Sequence, residues 1–114
     1  MPQITLEISD TFDINIAKKI IDESQVFLVE KLPTKLETFK SRIYRYIACS
    51  VGGDLDKEII HLQIKVLAGR TQEHLNDLVH KLKLELTSLL DKNVDISKYN
   101  LTLEMIELSS AYAN

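Results

Sequence analysis

Pro2 follows Met1 and runs straight into an alternating segment. A proline at a free N-terminus is a secondary amine. When neutral, it can take a proton from one carbon or oxygen and return it to another. It serves as a base near neutral pH only where its cation is disfavoured, and burial and nearby positive charge both do that. While Met1 is attached, the Pro2 nitrogen is an acylated imide without a basic lone pair, so the chemistry requires removal of Met1. Three cations stand at the ends of predicted elements: Lys40, Arg42 and Arg70. They are candidates both to weaken the protonated amine and to grip substrate carboxylates. Arg70 falls between a strand's end and a helix's start. There, free N–H groups and the helix dipole attract anions and an arginine adds a bidentate clamp. Arg42 is the second candidate clamp, for a carboxylate or a polarised carbonyl.

Other chemistry finds little support. His61 lies mid-strand and reads as structural or interfacial. His74 and His80 fall on a helix with no partner at metal spacing and read as solvated. There is no HExxH, no pair of cysteines, no glycine-rich phosphate loop and no nucleophile elbow. A metal site is not expected. The single cysteine, Cys49, allows no intrachain disulfide and is expected to pack as a small buried hydrophobe.

The elements that must position these residues can be read from periodicity. In QITLEIS, residues 3–9, Ile4, Leu6 and Ile8 alternate with polar residues, as in a strand with one apolar face. A helix is predicted over 14–31, with Asp13 as N-cap and a stripe of Ile16, Ala17, Ile20, Ile21, Phe27 and Leu28. Pro33 stops it. A second strand is predicted over 39–48. Lys40, Arg42, Tyr44 and Tyr46 share one face of it; Phe39, Ser41, Ile43, Arg45 and Ile47 share the other. Gly52-Gly53-Asp54 reads as a turn. A third strand spans about 59–67, with Ile60, Leu62, Ile64 and Val66 on its apolar side and His61, Gln63 and Lys65 opposite. Thr71 caps a helix over about 71–91, striped with Leu75, Leu78, Val79, Leu82, Leu86, Leu89 and Leu90. Asp77 and Lys81 form an i,i+4 pair on its wet side. A last strand is predicted over about 100–108.

The order is β-α-β, a loop, then β-α-β, one domain over residues 1–114. Each half implies parallel strands joined by a right-handed crossover. Together they imply an α+β fold: duplicated β-α-β units, one four-stranded mixed sheet, and both helices on one face. The other face is polar or is covered, most simply by a neighbouring subunit. The same element order also fits a ferredoxin-like domain, so a non-catalytic binding or regulatory module is the competing reading.

Composition narrows the partners. The 114 residues carry 14 basic and 17 acidic groups, for a net charge of −3. That argues against nucleic acid, whose binders usually carry a basic surplus. No apolar run approaches the ~18 residues of a membrane span. The first ten residues lack the charged start and apolar block of a secretion signal. No membrane association is expected, and a cytoplasmic location is.

Met1-Pro2 entering a strand with Glu7 and Ser9, Ser41-Arg42 in the second strand, HLQIKVLAGR at 61–70 before a helix, and LTLEMIEL at 101–108 stand in register along nearly the whole chain. In this conjunction the sequence resembles the 5-carboxymethyl-2-hydroxymuconate isomerase branch of the tautomerase superfamily. The resemblance implies a homotrimer with sites between neighbours. It implies keto–enol chemistry on a small carboxylate substrate without metal or cofactor, with Pro2 as base and Arg42 and Arg70 as catalytic and binding groups. Two departures stand out. Lys40 occupies a position where the resemblance leads one to expect arginine, and lysine lacks the planar fork. The chain ends at SSAYAN, shorter than the asparagine-rich tail of that branch. Tyr112 and Asn114 are the residues that can replace part of it.

Overall fold

A computed structural model describes residues 1–114. Strand β1 (Gln3–Ser9) leads into helix α1 (Ile14–Lys31), then strand β2 (Lys40–Tyr46). Strand β3 (Glu58–Val66), helix α2 (Gln72–Asn93) and strand β4 (Tyr99–Glu107) repeat the pattern. The sheet order is β2-β1-β3-β4. β1 and β2 are parallel, β3 and β4 are parallel, and β1 runs antiparallel to β3. Each β-α-β half therefore keeps its two strands side by side. A ferredoxin-like domain is built from split β-α-β units, so this topology is not ferredoxin-like.

The predicted caps form. The Asp13 carboxylate accepts from the Asn15 N–H at 2.7 Å, and the Thr71 hydroxyl accepts from the His74 N–H at 3.1 Å. Leu32, just before Pro33, closes α1 with its N–H on the Leu28 carbonyl. The Lys81–Asp77 pair also forms, at 2.9 Å.

The alternating residues Ile4, Leu6 and Ile8 of β1 and Ile60, Leu62, Ile64 and Val66 of β3 are all buried. They meet Ala17, Ile20, Phe27 and Leu28 of α1 and Leu75, Leu78, Leu82, Leu86 and Leu90 of α2 in one core. Ile16, Ile21, Val79 and Leu89, also members of the predicted stripes, lie at the margin of the core and are only half-buried. Ser24, a polar residue in the α1 stripe, is buried because its hydroxyl donates to the Ile20 carbonyl at 2.7 Å.

Two expectations, the end of β2 and the burial of Cys49, need correction. The alternation in 39–48 overran the strand: Ile47 lies past its end and is 90% exposed. Arg45 shares a face with Ile43 as expected, and its guanidinium reaches the carbonyls of Ser9, Asp10 and Phe12 and closes the turn after β1. Cys49 is half-buried in the β2–β3 loop, with its thiol 3.4 Å from the Lys57 carbonyl. No helix is long and apolar enough to cross a membrane.

Candidate functional site

Because β1 is central, both of its neighbours bring residues to its first turn. The Pro2 ring is buried, and its carbonyl accepts from the Lys40 N–H at 3.1 Å. On the other side Gln3 pairs with Lys65, one residue before the end of β3, which leads into Leu67-Ala68-Gly69-Arg70. The parallel register of β1 with β2 and the antiparallel register of β1 with β3 thus deliver Pro2, Lys40 and Arg70 to one end of the sheet.

Electrostatics records their proximity. The amine that opens the chain is held below the usual α-amino range, first by burial, then by the positive charges of Arg70 and Lys40. In this structure that amine belongs to Met1. Neither Lys40, Arg42, Lys65 nor Arg70 has a carboxylate within ion-pairing distance. In a chain of net charge −3, four unpaired cations around one strand's start make a local anion-attracting surface.

Arg42 stands one step further in. It pairs across from Thr5, and its guanidinium donates to the Gln3 side-chain carbonyl. It lines a recess of about 280 Å³ at the β2 edge together with Lys18, Ile21, Asp22, Ser41 and Ile43. Arg42 is therefore connected to the Pro2 end through Gln3. The charges acting on the amine are those of Arg70 and Lys40.

The loop amides just before α2 are occupied, whereas the first amides of α2 itself, those of Gln72 and Glu73, have no acceptor within the chain, as expected. The Glu107 carboxylate, from the end of β4, accepts from the Gly69 N–H and from the Arg70 N–H at 3.3 Å. Thr71 takes the His74 N–H. Beside these amides stands the half-buried Arg70 side chain, whose Nη1 donates to the Leu67 carbonyl at 2.8 Å. Gly69 has φ +120°, a left-handed conformation that only glycine adopts without strain.

The end of the chain folds back onto this region. Gln3 donates to the Tyr112 hydroxyl at 2.9 Å, and Lys40 donates to the Asn114 side-chain carbonyl at 2.8 Å. Sequence reasoning missed Gln3, Lys65 and Glu107. Lys65 was placed on the polar side of β3, but only the register with Gln3 carries it to Pro2.

His61 is not at this site. It sits on the open sheet face with Nδ1 2.7 Å from the Thr102 hydroxyl. With Glu7, Tyr46, Cys49 and Asn100 it lines a recess of about 400 Å³ toward the other end of β1. Burial and the Cys49 thiol hold the Tyr46 phenol above its ordinary range. Its hydroxyl is used structurally, accepting from the Ile59 N–H and donating to the Ile59 carbonyl. His74 and His80 are on the outer surface of α2. No group of three or more His, Cys, Asp or Glu side chains is placed to hold a metal ion. None of the recesses of the single chain is lined by Pro2, Lys40 or Arg70; these residues form an open rim.

No protein-family model and no curated protein matches this sequence. The structure does have counterparts. It is similar to a 5-carboxymethyl-2-hydroxymuconate isomerase from Deinococcus radiodurans R1, with TM-score 0.77 and 20% identity, covering 99% of this chain and 87% of that one. It is also similar to a macrophage migration inhibitory factor-like protein from Entamoeba histolytica, with TM-score 0.67 and 16% identity over 99% of this chain and 95% of that one. A fused 4-OT described as a symmetric trimer matches with TM-score 0.69 and 15% identity over 92% of this chain and 87% of that one. The fold is that of the tautomerase superfamily.

Proposed function

We propose that this chain is a cofactor-independent isomerase, a keto–enol tautomerase. Its substrate is a small unsaturated hydroxy- or keto-acid with one or two carboxylates, such as 5-carboxymethyl-2-hydroxymuconate. The observation that carries the reading is the weakened amine at the chain's start, flanked by Arg70 and Lys40 and buried at its root. Removal of Met1 moves the amine one residue inward, onto the buried Pro2 ring.

In this reading neutral Pro2 abstracts a proton from the dienol or the acidic carbon and redelivers it to another carbon. Arg70 and Lys40 hold carboxylate oxygens, and Arg42 binds and polarises through the Gln3 side. Positive charge at the rim favours the dienolate, whose negative charge develops in the transition state. Burial and the same cations disfavour the protonated amine, so one arrangement serves base and substrate.

The open rim supports a site completed by a neighbouring subunit, and we read the assembly as a homotrimer. The relative described as a symmetric trimer supports that reading by its fold. A cytoplasmic location and an absence of nucleic-acid and membrane partners belong to the same reading.

The test is ketonisation of 2-hydroxymuconate by protein whose free N-terminal proline has been verified by mass, beside Pro2→Ala. Turnover lost by at least a hundredfold in Pro2→Ala is the expected result, in keeping with the ~10²–10⁴ contributed by a general base. Matured protein that does not outpace buffer refutes the proposal.

A further inference from the structure

The β3–α2 loop that carries Arg70 is held by a carboxylate from another part of the chain. Glu107 is the last residue of β4 and pairs in parallel register with Val66, the last residue of β3. From there its Oε2 accepts from two successive backbone N–H groups, Gly69 and Arg70. The adjoining Leu108 N–H donates to the Val66 carbonyl at 2.6 Å, which keeps the chain after β4 paired to the end of β3 at the root of the loop. The loop needs this grip. Gly69 has φ +120°, and the space where a side chain would start is open, so nothing packs against the turn from that side. Arg70 closes the loop with its Nη1 on the Leu67 carbonyl, so the loop's path decides where the guanidinium points.

A negative group beside an anion clamp looks counterproductive, because an acid so near lowers the attraction for a carboxylate. Its hydrogen-bond partners show a different use. Both are backbone donors, and neither the Glu107 carboxylate nor any other pairs with the Arg70 guanidinium. We infer that Glu107 is a positioning residue: it fixes the 67–70 loop by binding its two amides and so aims Arg70 at a carboxylate of the substrate. This rests on the reading of Arg70 as a substrate clamp given above.

The two possible roles have opposite signs. If Glu107 positions the loop, Glu107→Ala weakens carboxylate binding by about tenfold, as lost aim of one charge-assisted hydrogen bond would. Glu107→Gln, whose amide carbonyl can still accept, recovers most of it. If Glu107 acts only as a repelling charge, Glu107→Ala and Glu107→Gln both tighten binding.

The experiment is a titration with cis,cis-muconate, a dicarboxylate with no enol to ketonise. It uses wild type, Glu107→Gln, Glu107→Ala, Arg70→Ala and the Glu107→Ala/Arg70→Ala double variant, followed by amide NMR. Faster exchange of the Gly69 and Arg70 amides in Glu107→Ala, weaker muconate binding, and no further loss in the Arg70→Ala background are expected. Unchanged exchange at Gly69 and Arg70, tighter binding, an additive double variant, or a wild type that does not bind muconate overturns the inference. None of these readouts needs turnover. A wild type that binds muconate through Arg70 yet fails to ketonise 2-hydroxymuconate would refute the isomerase and leave the role of Glu107 standing.

Discussion

The Lys40 ammonium donates a 2.8 Å hydrogen bond to the side-chain carbonyl of Asn114. Together with the Gln3–Tyr112 bond, this ties the end of the chain to the two residues that flank Pro2 in the sheet. Lys40 and Asn114 are exposed and Tyr112 is only half-buried, so these bonds contribute little to global stability. Their effect is on the direction of Lys40 and Gln3. Deleting residues 111–114 is expected to leave Tm within about 2 °C, as for other exposed positions. The same deletion should raise KM for 2-hydroxymuconate several-fold. A thermal melt and initial rates on the truncated protein check both, and a large fall in Tm would instead make the tail part of the core packing.

The perturbed amine carries a pH prediction with a definite sign. Burial comes first among its causes, then Arg70, then Lys40, and all of them lower it. Lys40→Ala removes one cation, so the pKa of the amine rises and less of it is neutral at a given pH. The acid limb of kcat/KM for the matured protein should move to higher pH in Lys40→Ala and stay near wild type in Lys40→Arg. NMR titration of the Pro2 ring checks the same shift without turnover. Linkage follows the same direction. The unfolded chain binds this proton more tightly than the folded one, so a folding penalty exists at low pH. It fades as pH rises through the folded pKa toward the unfolded value of about 8.

Much of this fold is legible because one physical pattern dominates each element. Period two in Ile4, Leu6 and Ile8, and in Ile60, Leu62, Ile64 and Val66, predicts the two central strands. Both have one face in the core and polar residues on the other. Asp13 and Thr71 announce helix starts because a side-chain acceptor there satisfies N–H groups that the helix leaves free. Local pattern fails where a contact spans the chain. Glu107 reads as a surface acid at the end of a strand, and only the β3–β4 register brings it to Gly69 and Arg70. Ile47 continues the alternation of β2, but alternation does not say where pairing stops. The candidate site divides along the same line. Pro2, Lys40 and Arg70 are legible by type and by resemblance, whereas Gln3 and Lys65 need the antiparallel pairing of β1 with β3.

Leu84 and Leu86 make a stability test of the α2 stripe within two residues. Leu86 is fully buried between helix and sheet, and Leu84 is 73% exposed. Leu86→Ala removes apolar contacts and leaves a cavity, which should cost about 3 kcal/mol. Leu84→Ala takes a side chain out of water and gains slightly in helix propensity, so its effect should stay within about 0.5 kcal/mol. Urea unfolding of both variants checks the contrast. Equal losses would show that Leu84 is covered in solution by a neighbouring subunit.

The assembly leads to the last expectation. The face of the sheet away from the helices is polar, with His61 bonded to Thr102 and Gln63 to Glu104, and it can meet water without cost. The exposed apolar groups lie instead around the β2–β3 loop, where Ile47 is 90% and Leu55 79% exposed. Both line one recess of about 300 Å³ with Tyr46 and Lys57. β2 is an edge strand, so one side of its backbone is unpaired, and this apolar pair lies in the loop that follows it. A head-to-tail contact there closes into a ring when each copy offers this edge to a different surface of the next. Light scattering behind gel filtration should therefore give three chain masses for the wild type. Ile47→Glu puts a charge into that contact and should give one chain mass with unchanged far-ultraviolet circular dichroism, because Ile47 packs against nothing in the core. If the site is shared between subunits, turnover falls with the mass. A folded single-chain Ile47→Glu that keeps full activity would place the whole site within one chain, and a wild type of one chain mass would remove the trimer from the proposal altogether.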